Sequence, residues 1–592
     1  MEKREIQFDL SADALLDMAE AKLDEEEYIP ALRLLHKSLE LYGPGADEYA
    51  DLAEAYDGME QYELAAYNWF RFLDVCAENE AVDAYEGLAA CYYNLGNIPQ
   101  AMYYYNKMVH DKYVSPENNV EMGELMSEPP RPRFRIAWPP EHADYSADVD
   151  AGLQALKQGD HAKAERCFRR VHEGSEYYPT AMNYLAVSYL LSGASDKAEK
   201  VCLGLLAKDP DNVQVLSTYA AVLTEQDRRD EGRAVAEKLA KIETEDADEL
   251  YKIATVCCEN ALYEEAYQRF CKIEKMVRYD MTLLYFKAVA AFRCGRVKES
   301  LASFGKLLDV YPHAAVARYY FRKVRDYDEQ GGEVPETNFF YRLPQGEREA
   351  NTAALMLLQH MSAADQRALC AQPFGQELLE WCLDEGDGAE PRLQLIAAEI
   401  AAHGNVQPFL CDLLLNASVN DVIKIAALQH MCERNRDFDC GVVISDIYTR
   451  ISFCKLHIGR KRHALFVGAY SICFARFALV GAVDGEELRV AAESIYELFA
   501  AHDGFSCIKK KESLACAIYL TVRTADGRKL RKLVQGMGGD EAEVARILAA
   551  VRAYALEETE AAAADASETA DAEDAAPAKG EGPSGPDGGS ER

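Results

Sequence analysis

Cys454 and His457 are separated by two residues, a spacing found in metal sites. Among the residues of this sequence, this pair most resembles part of a chemical site. They supply half of a tetrahedral zinc set, and nothing nearby completes it. The stretch around them is predicted to be helical, so packing on one helix face explains the spacing. The phosphate-binding pattern G-x-x-x-x-G-K-[ST] and the metalloprotease pattern H-E-x-x-H do not occur. We therefore expect no catalytic residue, no metal ligand and no cofactor. An enzyme would need a deep pocket lined by converging titratable groups.

Two basic clusters in the C-terminal part suggest contact with nucleic acid or with an acidic protein surface. They contain Lys455, Arg460, Lys461, Arg462, Lys509, Lys510, Lys511, Arg528, Lys529, Arg531 and Lys532. The alternative is that these cations balance acidic neighbours or receive the acidic C-terminal tail. The formal net charge of −36 favours that alternative and argues against binding of the whole molecule to DNA or an anionic membrane.

The composition indicates a folded protein of a reducing compartment. Apolar residues make up 49% of the 592 positions, which is ample for burial. The 17 cysteines are scattered along apolar helix faces without a C-x-x-C pair. Since neither a signal peptide nor a membrane-spanning run is evident, we expect a cytoplasmic protein with no membrane contact.

Small residues recur at a fixed period, which indicates a repeated structural unit. Any binding residue must be positioned by the helices of these units. Two intervals of 34 and 36 residues separate the first three, and intervals of 34 residues separate the other five. These residues are Ala31, Ala65 and Ala101, followed by Ala164, Ala198, Gly232, Ala266 and Ser300. Each unit reads as two amphipathic helices, with the small residue allowing their close approach.

The best-preserved unit combines Tyr49, Leu52, Ala53 and Tyr56 on one helix with Ala65 and Trp69 on the next. This pattern, followed by a proline in several units, resembles the tetratricopeptide repeat (TPR). The resemblance covers three units over residues 12–114 and five over 145–313. It implies an all-α fold in which helix hairpins stack into an α-solenoid with concave, peptide-binding grooves.

The remaining segments complete the predicted organisation. We expect a first array at 1–114, a Pro/Arg-containing linker at 115–144, and a second array with a capping helix at 145–330. A linker at 331–349 leads to a weakly HEAT-like helical region at 350–438. Long helices, the first at about 440–457, form a C-terminal domain at 439–556. The acidic tail at 557–592 is predicted to be disordered because it has too little apolar surface to bury.

The two grooves are predicted to differ in charge. In the first array the face opposite the packing residues carries Asp13, Glu20, Asp47, Glu54, Asp57, Asp83, Glu86 and Tyr93. In the second array the equivalent face carries Asn183, Val187, Gln214, Ser217, Tyr251, Thr255, Tyr285 and Phe292. The first face should therefore be acidic, and the second neutral with aromatic anchors.

Three interpretations of the acidic face stay open: a solvated surface, a site for linker residues Arg131, Arg133 and Arg135, and a site for a basic peptide partner. Its carboxylates would repel the acidic chaperone tails that some TPR domains bind. The sequence thus predicts a scaffold that binds proteins or peptides in its TPR grooves. A regulatory protein whose basic C-terminal helices bind nucleic acid is the alternative.

Overall fold

The computed structural model describes residues 11–77, 80–111, 137–384, 390–523 and 527–574. The predicted fold class is confirmed: helix hairpins stack into an α-solenoid, and further helices follow. Residues Arg131, Arg133 and Arg135 of the first linker lie outside the described residues, as do residues 575–592. In the described part of the chain, no helix combines the length and apolar character needed to cross a membrane.

The first array consists of three helix hairpins. Its helices are α1 (Ala12–Asp24), α2 (Tyr28–Tyr42), α3 (Ala46–Gly58), α4 (Tyr62–Val75), α5 (Ala81–Asn94) and α6 (Ile98–His110). Ala31, Ala65 and Ala101 have no exposed surface, in agreement with the close helix approach expected at these positions.

The second array has five hairpins and a closing helix. Its helices are α7 (Ser146–Lys157), α8 (His161–Phe168), α9 (Tyr178–Leu191), α10 (Ser195–Leu206), α11 (Val213–Glu225), α12 (Arg229–Leu239), α13 (Ala247–Glu259), α14 (Tyr263–Ile273), α15 (Met281–Arg293), α16 (Val297–Val310) and α17 (Ala315–Gln330). In every hairpin of both arrays, the turn places a residue with positive φ five positions before the small residue, as at Glu60 (φ 60°) and Gly193 (φ 75°). This left-handed residue reverses the chain so that the second helix packs back on the first.

The first array folds back onto distant parts of the chain. The Tyr56 hydroxyl donates to the Val310 carbonyl at 3.0 Å, and the Tyr67 hydroxyl donates to Asp412 Oδ1 at 2.9 Å. The Tyr104 hydroxyl donates to the Asp446 carbonyl at 2.7 Å. The two arrays therefore belong to one packed body. Arg33 of α2, Tyr67 of α4 and Tyr104 of α6 contribute to these contacts, and Tyr56 reaches Val310 from the buried side of α3. The exposed side of α1, α3 and α5 lies away from them.

Helices without a fixed period follow the second array. They are α18 (Gln345–Gln359), α19 (Ala363–Cys370), α20 (Pro373–Asp384), α21 (Pro391–Gly404), α22 (Gln407–Leu415) and α23 (Asp421–Glu433). Helices α21 and α23 pack against each other. Leu413 and Leu414, which belong to one apolar face in the sequence, are buried.

The helix predicted over 440–457 is wrong, because a β-hairpin occupies this region. Strand β1 (Phe438–Ile444) pairs antiparallel with β2 (Ile447–Phe453). Ser445 and Asp446 form the two-residue turn with φ values of 51° and 62°. Two left-handed residues in succession match the twist of a tight hairpin, and the flanking β-branched residues favour strands. The prediction gave too much weight to apolar content and too little to this turn.

Four helices and one long final helix complete the described part of the chain. They are α24 (His463–Cys473), α25 (Gly485–Ala501), α26 (Lys511–Val522), α27 (Gly527–Met537) and α28 (Glu541–Asp574). Helix α28 extends into the segment predicted to be disordered from residue 557. Its sequence there is rich in alanine, the residue with the highest helix propensity, and a helix satisfies its backbone hydrogen bonds without tertiary burial.

A buried lysine beneath the β-hairpin provides a test of this packing. Lys424 of α23 has no exposed surface, and its Nζ donates to the Val443 carbonyl at 2.6 Å. Burial lowers the pKa of Lys424 to about 8. Between about pH 8 and pH 10.5 the unfolded chain retains this proton and the folded chain releases it, so stability rises with pH in that window.

We expect the Lys424→Met variant to lack this rise. Urea titration gives the free energy of unfolding of both proteins. The difference between wild type and variant should increase in favour of the wild type by about 2 kcal/mol from pH 8 to pH 10. The same substitution at exposed Lys200 is the control. Parallel pH profiles for wild type and Lys424→Met would contradict the buried position of the ammonium group.

Candidate peptide-binding faces of the two arrays

The predicted acidic face of the first array is exposed. All seven of its predicted carboxylates are exposed, and Tyr93 has 49% of its surface accessible. Glu20 lies on α1, and Asp47, Glu54 and Asp57 lie on α3. Since these helices and α5 each begin a hairpin, they line the same side of the array.

The carboxylates of this face are close enough to repel one another. Burial raises the pKa of Asp51 to about 7, assisted by the negative charges of Glu20, Glu54 and Asp47. Burial also raises the pKa of Glu54, with repulsion from Asp57, Asp83 and Glu20. Asp51 Oδ2 is buried without a hydrogen-bond partner. Four basic side chains of the first array, those of Lys22, Arg33, Arg71 and Lys107, form ion pairs with carboxylates outside this face.

This repulsion should be visible in stability. Because the pKa of Asp51 is raised above its ordinary value of 3.8, the folded chain holds a proton that the unfolded chain has lost between about pH 4 and pH 7. Wild-type stability therefore falls as pH rises through that window. We expect Asp51→Asn to be more stable than wild type at pH 8 by about 1 kcal/mol, a value reduced for solvent screening, with the gain lost near pH 4.

Thermal unfolding of both proteins at the two pH values measures the effect. Glu86→Gln, at an exposed position of the same face, controls for the change in net charge. If Asp51→Asn is less stable than wild type at pH 8, burial and repulsion do not raise the pKa of Asp51 as described.

The predicted face of the second array is only partly accessible. Asn183 is 7% exposed, and its Oδ1 is buried without a hydrogen-bond partner. Tyr251 is half-buried and stacks on Phe286 with ring centroids 6.3 Å apart. Gln214 is exposed. The remaining three polar or small positions, Val187, Ser217 and Thr255, are half-buried.

Two predicted anchors of the second array are covered by the chain itself. Tyr285 has no exposed surface, and its hydroxyl lies 3.2 Å from the carbonyl oxygens of both Asn338 and Phe340. Phe292 is 6% exposed and packs edge-on against Tyr327 of α17. The prediction that Tyr285 and Phe292 anchor a partner is therefore corrected, because both side chains lie in the core of this structure.

The covering segment, residues 337–341, comes from the predicted linker at 331–349. Phe339 stacks on Tyr263 at 5.9 Å and meets Phe286 edge-on at 6.0 Å. Arg293 donates to the Thr337 carbonyl. The three consecutive aromatic residues Phe339, Phe340 and Tyr341 could have indicated that this segment packs against the array, because a flexible linker seldom contains three adjacent aromatic side chains.

The basic clusters are partly engaged in contacts within the C-terminal part. Lys461 pairs with Asp503, Lys511 with Glu433 at 3.1 Å and Arg531 with Glu541 at 3.8 Å. These ion pairs agree with the interpretation that cations balance acidic neighbours. The other exposed members are Arg460, Arg462, Lys509, Lys510, Arg528, Lys529 and Lys532, while Lys455 is half-buried.

Cys454 and His457 lie in the loop after β2 and not on a helix, which corrects the expectation for this pair. Cys454 is exposed, and His457 Nδ1 lies 3.4 Å from a carboxylate oxygen of Glu493.

A cavity of about 480 Å³ lies where the two arrays meet the following helices. Several of its titratable groups have partners. Glu380 is bound by Arg318 and His313. Desolvation lowers the pKa of His313, but the hydrogen bond to Glu380 and the negative charges of Asp412 and Glu380 together outweigh it and raise the pKa. Asp412 accepts from Arg71 and Tyr67. The groups therefore hold the junction together.

A comparison with known protein families finds a repeat family that is consistent with the period of the helix hairpins. Residues 155–216 match a family model described as tetratricopeptide repeat. No curated protein matches the chain.

Three similar solved structures each align with less than half of the chain. A tetratricopeptide repeat protein from Parabacteroides merdae ATCC 43184 is 16% identical, over 48% of this chain and 98% of its own, with a TM-score of 0.27. The thermophilic TPR protein TTC0263 from Thermus thermophilus is 16% identical, over 31% and 99%, with a TM-score of 0.25. The protein MamA from AMB-1 is 19% identical, over 28% and 96%, with a TM-score of 0.22.

Proposed function

Because residues 155–216 match the tetratricopeptide repeat model and the helix hairpins repeat at the same period, we propose that the chain is a non-catalytic cytoplasmic scaffold whose first array binds a basic segment of a partner protein. The observation that carries this proposal is the set of clustered carboxylates on α1, α3 and α5. Their mutual repulsion contributes to the raised pKa of Asp51 and of Glu54. A lysine- or arginine-rich peptide would relieve this repulsion on binding, which is a favourable contribution that a neutral peptide lacks.

The location of the face supports the same conclusion. Helices α2, α4 and α6 hold the array against the rest of the molecule, as the bonds of Tyr67 and Tyr104 illustrate. The first helices of the hairpins therefore remain available on a rigid support. Tyr93, exposed on α5, adds an aromatic surface for an aliphatic or cationic side chain.

In this proposal the second array binds a different kind of segment from the first. Its distal part is closed by residues 337–341 around Tyr285, and its proximal part, near Asn183 and Gln214, remains for an uncharged segment. The cytoplasmic assignment is supported by the 17 free cysteines, because such a number of unpaired thiols suits a reducing compartment.

Selection from a random peptide library tests the proposal. The full-length protein should enrich sequences rich in lysine and arginine, and Glu20→Gln combined with Asp47→Asn and Glu54→Gln should abolish that enrichment. Point substitutions are preferable to removal of residues 1–140, because deletion of the array would uncover the buried surface around Val310 and Val443. Equal enrichment by both proteins, or enrichment of acidic peptides, would refute the proposal.

A further inference from the structure

Two histidines and a glutamate meet on the face between α21 and α23. His403 lies in the last turn of α21, and His430 and Glu433 lie in the last turn of α23. All three side chains are half-buried. The helices pack directly on each other, so the three groups are presented by a rigid support and not by a loop.

The distances between the donor atoms suit a shared metal ion. His430 Nδ1 lies 3.3 Å from Glu433 Oε2, and one donor atom from each of the three residues lies within 4.8 Å of the others. Ligand atoms bound to zinc at about 2.1 Å in tetrahedral geometry are about 3.4 Å apart. The first pair is already at that separation, and the donor atom of His403 lies within 4.8 Å of both others. The two rings stand at 76° with centroids 5.4 Å apart, so they are not stacked face to face.

A neighbouring cation orients the carboxylate of Glu433. Lys511 Nζ holds Glu433 Oε1 at 3.1 Å, so Oε2 is the oxygen that faces His430.

Neighbouring groups are directed elsewhere. Arg434 donates to the carbonyl oxygen of Ala402 and to Asn405. Glu399 accepts a hydrogen bond from Gln359.

We propose that His403, His430 and Glu433 form a binding site for a divalent transition-metal ion of the zinc type. Two imidazoles with one carboxylate are a donor set used for Zn²⁺, and imidazole disfavours Mg²⁺ and Ca²⁺. Three protein ligands leave one position for water or for a ligand from a partner. Bound metal links α21 to α23, next to the contact that Lys511 makes from α26.

The simpler interpretation is that each histidine interacts with the carbonyl end of its own helix and that His430 forms an ordinary ion pair with Glu433. This interpretation requires no metal affinity. It also gives no reason why removal of His403 should alter metal binding through residues of another helix. Metal titration therefore separates the two interpretations.

The experiment uses full-length protein freed of metal with a chelator. Calorimetric titration with Zn²⁺ should show one equivalent bound with a dissociation constant in roughly the micromolar range, because Lys511 and Arg434 disfavour added positive charge. His403→Gln and His430→Gln should each weaken binding at least about tenfold. Co²⁺ in place of Zn²⁺ should give the visible absorption bands of a four-coordinate site, and both substitutions should remove them.

His457→Gln is the matched control, because His457 also pairs with a glutamate, Glu493, at 3.4 Å but has no second histidine in that contact. It should bind Zn²⁺ as the wild type does. Circular dichroism must show that all variants remain folded. Lys511→Met, which removes a competing cation, should tighten binding. Absence of one stoichiometric site, or equal affinity of His403→Gln and His457→Gln, would overturn the proposal.

Discussion

Conversion of Glu20, Asp47 and Glu54 to their amides should weaken binding of a lysine- and arginine-rich peptide by about 10- to 150-fold at low ionic strength. Each partly exposed charge pair between peptide and groove contributes about 0.5–1 kcal/mol, so three pairs contribute about 1.5–3 kcal/mol. All three carboxylates raise the pKa of Asp51, which shows that they act on the same region. Fluorescence anisotropy with a labelled peptide measures the affinity.

A control variant must lose the same charge at other exposed places. Asp24→Asn, Glu40→Gln and Glu245→Gln together meet this requirement, because these residues are exposed and lie outside the acidic face. Their combination should change affinity less than about threefold at physiological ionic strength, where the Debye length is about 8 Å. Increasing salt should weaken peptide binding to the wild type and have little effect on the variant of the acidic face. If both triple variants lose affinity equally, binding depends on overall charge and not on this face.

Loss of the buried ion pair between Arg71 and Asp412 should destabilise the protein by about 2–4 kcal/mol. The side chains of Arg71 and Asp412 are only 18% and 26% exposed. Arg71 also donates to the Tyr49 hydroxyl at 2.8 Å, and Asp412 accepts from Tyr67. Removal of the half-buried Arg71 guanidinium breaks its contacts with both Asp412 and Tyr49 and leaves Asp412 without its cation.

Arg33→Ala is the matched control for Arg71→Ala. Arg33 also joins the first array to a distant residue, Asp309, at 2.6 Å, but Arg33 is 65% exposed. Its loss should cost about 1 kcal/mol, less than the loss of Arg71, because water hydrates the Arg33 guanidinium in the folded chain, although its partner Asp309 is only 20% exposed. Urea unfolding measures both variants. Limited proteolysis should release the first array from Arg71→Ala sooner than from Arg33→Ala. Equal stability of the two variants would show that burial at this junction does not determine the strength of the contact.

Short-range features of the sequence account for the repeats. The interval of 34 residues between small residues predicts the hairpins because helix–helix approach within a hairpin depends only on nearby residues. The exposed acidic face follows from the same pattern, since the side of a helix that a residue occupies is set by its position in the period. The local turn chemistry of Ser445 and Asp446 was also present in the sequence, although apolar content led to the wrong prediction of a helix there.

Contacts between distant residues were decided only by the tertiary structure. The sequence identified the aromatic side chains of Tyr285 and Phe339, but not that residues 337–341 would cover Tyr285. It likewise contained His403 and His430 without indicating that the ends of their helices meet. Such contacts depend on small rotations between successive hairpins, which accumulate along a solenoid and which no short sequence pattern encodes. The sequence by itself determined the repeating unit and the charge of its exposed face, and the packing of distant units determined which faces remain open.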